Sequence, residues 1–378
     1  MRIVVAPDSF KGSLGSVEAA GVMERAIMDV DADCVVDLRP MADGGEGTLE
    51  SVLEAKDGVR VEARCVDALG RSVVAEYGIV DGDTAVIECA AVVGLPGVPA
   101  EKRDPDLTSS FGVGELMLDA LDRGCERLIV ALGGSATNDG GLGMLCALGM
   151  RAFDESGGRV CGFGADVAKV HRVDMSGMDP RLRDVGIQIA SDVDNPLCGE
   201  RGATAVFGPQ KGATEEQVVR YDKALNDFGL LLEAETDIQA MDVPGAGAAG
   251  GLGFALLMLG GDVVSGAKLV AETMEMAALI KSADLVLTGE GQSDEQTLYG
   301  KAPGYIASMA NQCDVPVVLI SGCLDGDMDA LSEVFSGCFS IAPGPISLEE
   351  CIENAGELLF EQTKQVVHLI QSVSGGCS

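Results

Sequence analysis

Residues 133–143 read Gly133-Gly134-Ser135-Ala136-Thr137-Asn138-Asp139-Gly140-Gly141-Leu142-Gly143. An apolar run, Leu128-Ile129-Val130-Ala131-Leu132, precedes them, and Leu142-Gly143-Met144-Leu145-Cys146-Ala147-Leu148 is apolar enough for a buried helix. Strand, tight glycine turn and helix, in that order, point backbone N–H groups at an anion. The glycines remove Cβ atoms that would block close approach, while Ser135, Thr137, Asn138 and Asp139 add short polar groups. The same spacing also describes an ordinary strand-to-helix turn with capping residues. No Gly-Lys-Ser/Thr follows as in a P-loop, and no dinucleotide fingerprint is present. The surroundings of the loop must therefore decide its meaning.

Toward the N-terminus, residues 2–6 read as a buried strand and Pro7-Asp8-Ser9-Phe10-Lys11-Gly12-Ser13 as a loop. A helix follows with Ser16 as N-cap and Val17, Ala20, Met23, Ile27 and Val30 on one face. Residues 34–38 form a second strand, so the opening segment is βαβ. It ends in Met41-Ala42-Asp43-Gly44-Gly45-Glu46-Gly47-Thr48, a second polar glycine loop entering a helix. Two such loops after two strands place ligand groups on one edge of a parallel sheet. The pattern then changes. Val59, Val61, Ala63 and Cys65 alternate with charged residues, and 73–80 and 84–89 flank Asp81-Gly82-Asp83 as in a hairpin.

A different domain is expected from residue 68. It holds the opening stretch, Ala190-Ser191-Asp192-Val193-Asp194-Asn195-Pro196-Leu197, and Phe207-Gly208-Pro209-Gln210-Lys211-Gly212, the last preceding a helix with a Thr214–Gln217 capping box. Residues 244–253, almost all Gly and Ala, read as a loop. From Asp284 the βα rhythm returns, with a strand ending in Thr288-Gly289-Glu290-Gly291-Gln292-Ser293-Asp294-Glu295-Gln296-Thr297. Strands at 315–320 and 338–341 follow, then a last helix starting at Ser347 with Glu350 three residues on. The expected fold class is α/β. A parallel-sheet domain of residues 1–67 and 284–378 is interrupted by an inserted α/β domain at 68–283.

With 378 residues, 47% hydrophobic, and 51 glycines, the chain can fill the cores of roughly two domains. A net charge of −34 argues against nucleic acid and anionic membrane as partners. It also opposes any anionic ligand, so a phosphate site would need local Lys, Mg²⁺ or helix N-termini. The 12 cysteines show no metal-ligand spacing, and only His171 and His368 accompany them, which leaves neither a zinc site nor a Ser-His-Asp arrangement attractive. The apolar residues near the N-terminus are too few for a signal peptide, and no run approaches the ~20 residues of a membrane span. A reduced, cytoplasmic protein is the simplest reading. A homo-oligomer is compatible with the sequence.

Against this acidic background Lys11, Lys211 and Lys301 each adjoin a glycine, in or beside a polar glycine segment. A lysine so placed can reach a phosphate already cradled by backbone amides. Asp8, Asp43, Asp192 and Asp294 sit at or just beyond the ends of apolar strands, where α/β proteins place their ligands. Mg²⁺ takes one or two carboxylates plus phosphate oxygens and water, and an Asp can accept a hydroxyl proton in phosphoryl transfer. Each Asp taken singly serves equally as a cap or turn residue. Glu290, between two glycines, is harder to explain as a cap. Together these features point to a Mg²⁺-dependent kinase with a small acidic or polyol substrate.

The stretches Asp8-Ser9-Phe10-Lys11, Ala42 to Thr48, Gly133 to Gly141, Asp192 to Leu197, Ala205 to Ala213 and Thr288-Gly289-Glu290-Gly291, in this order, resemble the bacterial glycerate kinase family. The resemblance spans residue 2 to about residue 370. It implies phosphoryl transfer from ATP to the 2-hydroxyl of D-glycerate, and a Rossmann-like domain interrupted by a second α/β domain, with the site in the cleft between them. Within that frame Asp192 is the candidate base, and Lys11 and Lys211 meet anionic oxygens. Asp43, Glu290 and Asp294 stand near the metal. Substrate or phosphate contacts are expected from Asp8, Ser9, Gly44, Gly45, Gly134, Ser135, Thr137, Asn138, Asp139, Gly140, Asn195, Gln210, Gly289, Gly291, Gln292, Thr297 and Lys301. One residue departs from the family pattern, since Gly-Glu-Gly is there usually followed by Arg. Gln292 supplies hydrogen bonds but no charge. The alternatives are a kinase for another small hydroxy acid and a non-catalytic nucleotide or sugar-acid binding protein. A dinucleotide-dependent oxidoreductase is disfavoured because neither early loop gives Gly-x-Gly-x-x-Gly after its strand.

Overall fold

The buried apolar runs of the sequence become the central strands of two sheets. The computed structural model describes all residues except Lys11, Glu46, Tyr299 and 375–378. In chain order the strands are β1 (Arg2–Val5), β2 (Val35–Leu38), β3 (Gly58–Val66), β4 (Ser72–Val80), β5 (Thr84–Glu88) and β6 (Arg127–Ala131). A small pair, β7 (Arg151–Phe153) and β8 (Arg172–Asp174), comes next, then β9 (Gly186–Ala190), β10 (Asp262–Val264) and β11 (Leu285–Thr288). The last are β12 (Gln292–Ser293), β13 (Val317–Ser321), β14 (Cys323–Leu324) and β15 (Gly337–Ser340). The chain divides into two compact units: Met1–Asp43, Glu50–Lys56 and Ser265–Ser378 form the first, Gly44–Leu49 and Asp57–Val264 the second.

In the first unit the sheet order is β15-β13-β11-β1-β2, and its pairs are all parallel. Ile3, Val4 and Val5 are wholly buried, as expected of a strand covered on both faces. The helices Ser16–Val30 and Ala355–Ser374 pack together over that sheet, with Met23, Ile27, Leu359 and Val367 in the shared core. Strand order reverses between β1 and β11, because the chain moves outward to β2, then returns to the other side of β1. Such a reversal opens a crevice at the carboxyl ends of the two strands.

The second unit carries the order β10-β9-β6-β5-β4-β3. Here β3, β4 and β5 pair antiparallel, and β5, β6, β9 and β10 run parallel. Val61, Ala63 and Cys65 of β3 face inward between exposed Arg60, Glu62 and Arg64, as the period-two reading has it, but Val59, read with them, is 60% exposed. Tyr77, Leu116, Met117 and Phe254 are among the large side chains buried in its core.

The units' bounds differ from the expected 68 and 283. β3 pairs with β4 over its whole length, Gly58 opposite Val80 through Val66 opposite Ser72, so the two strands of this hairpin belong together. At the other end β10 closes the second sheet beside β9, while the helices Gly266–Thr273 and Met276–Lys281 pack within the first unit. Two local readings also change. Gly15, not Ser16, is the N-cap of the first helix, and the buried Ser16 hydroxyl instead lies 3.5 Å from that of Ser51. Part of 244–253 is helical, in the helix Ala248–Met258, but Ala249, Gly250 and Gly251 take left-handed φ values of 51°, 69° and 94° at its start.

Candidate functional site

In the second unit, the glycine loops lie at the carboxyl edge of the sheet. Gly133 follows β6, and its N–H donates to the Gly44 carbonyl at 3.1 Å. A Cβ on Gly133 would stand 2.3 Å from the Gly45 Cα, and one on Gly44 2.9 Å from the Ala190 carbonyl oxygen. Only glycines allow this approach. The backbone N–H of Leu49 donates to the Glu88 carboxylate at 2.9 Å. Gly44 and Leu49 are thereby held to the ends of β5, β6 and β9.

Lys211 threads into this assembly from the turn Pro209–Lys211 and is 3% exposed. Its ammonium donates to Ser135 Oγ at 3.0 Å and to the Thr137 carbonyl at 2.8 Å. Burial pushes its pKa down to about 8, with the nearby Cys89 and Asp139 acting in the opposite direction. Thr137 and Asn138 are wholly buried, and Thr137 Oγ1 and Asn138 Oδ1 have no hydrogen-bond partner. Asn138 Nδ2 donates to Thr204 Oγ1 at 2.9 Å. These partly unused polar atoms lie beside a buried ammonium.

Asp139 differs from its neighbours. Its carboxylate accepts from the Ser110 N–H and hydroxyl, both at 2.7 Å, and from the N–H groups of Gly141 and Gly143 at 3.1 and 3.2 Å. Burial raises its pKa, and those donors work against the rise. Its oxygens therefore brace the loop through four internal donors. Gly140 and Gly134 carry positive φ, and a Cβ on Gly250 would stand 2.1 Å from the Thr137 carbonyl oxygen. The Gly/Ala stretch is thus the back wall of the 137–140 loop. Asn195 is likewise occupied internally, its Nδ2 donating to the Arg201 carbonyl at 2.7 Å. Asp192 is half-buried two residues beyond β9, and Gln210 is exposed.

The first unit presents an open cavity of about 660 Å³ at the carboxyl edge of its sheet. Ser9 and Ser13 line it from beyond β1, and Glu290, Gly291, Gln292, Asp294 and Lys301 from beyond β11. Gly289 lets the strands converge, since a Cβ there would meet the Ile320 carbonyl oxygen at 1.9 Å. Asp8 is buried, and its N–H donates to the Gly289 carbonyl at 2.8 Å, which ties the two loops together. Glu290 Oε1 accepts from Thr297 at 2.6 Å and Ser293 at 3.0 Å, and the Lys301 ammonium lies 3.5 Å from Oε2. Lys301 is therefore paired with a carboxylate on the wall of the same cavity.

Lys11 lies outside the described residues. Among the described residues no group of three or more His, Cys, Asp or Glu side chains is placed to hold a metal ion, so Asp43, Glu290 and Asp294 are not one cluster. Glu290 and Asp294 do line the same cavity, which fits an ion that takes one or two carboxylates and completes its shell with water and phosphate. Sequence reasoning missed Ser110, Thr204, Glu88 and Ser293. Ser110, Thr204 and Ser293 each bond a motif residue, and Glu88 bonds Leu49, which directly follows one.

A sequence profile for the Glycerate kinase family matches residues 3–371. Glycerate kinase of Bacillus subtilis strain 168 is 44% identical over 374 residues, 98% of each chain. Glycerate 2-kinase of Escherichia coli K12 is 41% identical over 369 residues, 97% of each. A crystal structure from Salmonella typhimurium LT2 assigned as glycerate kinase 2 superposes with a TM-score of 0.87 at 40% identity, covering 99% of both chains. No helix among the described residues is long and apolar enough to cross a membrane. With fold, loop order and nearly the full length in agreement, this chain belongs to the glycerate kinase family.

Proposed function

We propose that the protein transfers the γ-phosphoryl group of ATP to the 2-hydroxyl of D-glycerate, giving 2-phosphoglycerate and ADP. The observation that carries this reading is 41% identity over 97% of the chain to a relative named glycerate 2-kinase. The catalytic assignments rest on chemistry. Asp192 accepts the proton of the 2-hydroxyl as that oxygen attacks the γ-phosphorus, and the bond to the ADP oxygen breaks. The buried Lys211 ammonium fixes Ser135 and the Thr137 backbone, and supplies positive potential in an otherwise acidic protein. Glu290 and Asp294 would hold Mg²⁺, which when bound offsets phosphate charge. ADP release coupled to a spectrophotometric readout, with Mg-ATP and D-glycerate, tests the reaction. Activity undiminished in excess EDTA would remove the metal, and a phosphorus NMR signal for the 3-phosphate would overturn the regiochemistry.

A further inference from the structure

The cavity of the first unit changes character along the sheet edge. At β1 and β11, where strand order reverses, its walls are Ser9, Ser13, Gln292, Asp294 and Lys301. Past β13 come the small residues Gly322 and Cys323, and beyond the edge strand β15 the walls are Ile341, Ile346, Leu348 and Ile352. Three of these are unusually open to solvent, Ile346 and Ile352 at 39% and Leu348 at 76%. Exposed large apolar side chains scattered singly mean little, whereas a group of them in one concave wall marks a ligand surface. A volume of about 660 Å³ falls in the range of small-molecule sites.

We propose that this cavity binds the nucleotide, with the purine against Ile341, Ile346, Leu348 and Ile352 and the phosphates toward Ser9, Gln292 and Lys301. The assignment rests on the kinase reading above for the identity of the two substrates. D-Glycerate carries an oxygen on every carbon and has no face that an isoleucine wall can desolvate. A purine nucleotide is planar and weakly hydrated at one end and anionic at the other, which is the order of the walls. The polar end also holds Glu290 and Asp294, so a bare triphosphate is repelled there and its magnesium complex is not.

The test uses the full chain and Mg-ADP as probe. Ile352→Glu puts a carboxylate where the base would lie, and calorimetry should show Mg-ADP binding at least about tenfold weaker. The KM for ATP should rise by a similar factor, and that for D-glycerate by much less. Should that variant fold poorly, Leu348→Glu at a more exposed position makes the same measurement. Photolabelling of the wild-type protein with 8-azido-ADP and Mg²⁺ should mark peptides within 341–355. Unchanged affinity, label confined to 57–264, or a changed oligomeric state with intact nucleotide binding would each overturn the proposal. Wild-type protein that binds Mg-ADP, is labelled at 341–355 and yet releases no ADP with D-glycerate would sink the kinase reading and leave the pocket standing. Turnover with D-glycerate but unaltered binding in Ile352→Glu would do the reverse.

Discussion

Both units set polar glycine loops on the carboxyl edge of a mostly parallel sheet, yet the loops become different physical objects. In the first unit the strand order reverses between β1 and β11, and the loops stand apart around an open cavity with Gln292, Asp294 and Lys301 reachable from solvent. In the second the strands take their places in chain order, and the loops close on one another until Thr137, Asn138, Asp139 and Lys211 are buried. The first arrangement suits capture of a sizeable ligand. The second suits fixed positioning, because a group hydrogen-bonded on several sides keeps its geometry without help from the ligand. Substitutions in the two places should therefore fail differently.

The largest effect is expected at Asp192. Asp192→Asn should lower turnover by ~10²–10⁴-fold with little change in Mg-ATP affinity. A loss confined to KM would make it a binding residue, and unchanged kinetics would remove it from the site. Lys211 comes next, and pH separates its two roles. Its pKa is about 8 in the folded protein against an ordinary 10.5, so between those values the unfolded chain binds more protons. Stability from this group accordingly rises with pH across that window, by up to roughly 3 kcal/mol. Activity that needs the ammonium falls over the same range. Lys211→Met should flatten both trends relative to wild type, and a wild-type kcat/KM that stays level up to pH 9.5 would separate the ammonium from catalysis.

A smaller effect belongs to the first unit. Thr297→Val removes the 2.6 Å hydrogen bond to the buried Glu290 carboxylate and the 3.1 Å bond that Thr297 Oγ1 accepts from the Asp294 N–H. Losing the bond to the charged acceptor costs about 1–3 kcal/mol and the second bond adds about 1 kcal/mol, read together as a lowered midpoint in urea. Because Glu290 keeps Ser293 and Lys301, the loop should hold its shape and nucleotide binding should weaken only a few-fold. Loss of all nucleotide binding in a folded Thr297→Val protein would show that the open cavity is as finely braced as the closed loops.

How much of this could be read from the sequence depends on the reach of each interaction. The Thr214–Gln217 capping box forms as read, and Ser347 with Glu350 caps a helix where one was expected to start, because both partners lie within one helical turn. That helix ends at Glu353, however, and the last helix is Ala355–Ser374. The run 128–132 is β6 with its outgoing loop, since five successive apolar residues leave little else for a buried strand beside glycines. The bracing of Asp139 could not be read locally because its partner Ser110 lies 29 residues upstream and outside any motif. Ser16 misled for the same reason, its hydroxyl facing Ser51 rather than capping its own helix. Gly250 and Gly251 looked like loop filler. Their function, close packing behind Thr137 and Gly140, exists only once the chain has folded. Of the apolar wall of the cavity only a helix starting at Ser347 was legible, with nothing local to say that Leu348 and Ile352 line a cavity.

The smallest effect concerns Gln292, where this chain departs from the arginine usual after Gly-Glu-Gly. Gln292 is exposed and lines the cavity, in the short strand β12 paired with β14. Among the described residues lining that cavity Lys301 is the one cation, and it stands 3.5 Å from Glu290, which offsets part of its charge. Gln292→Arg adds a charge that Glu290 does not neutralise, at a solvated position where an ion pair contributes no more than about 1 kcal/mol. The KM for ATP should accordingly fall by no more than about fivefold, and the gain should shrink in 0.5 M salt as screening removes it. A salt-insensitive rise in kcat of tenfold or more would mean something else. It would place residue 292 on the transferring phosphoryl group itself, and the open cavity would then hold reaction chemistry as well as the nucleotide.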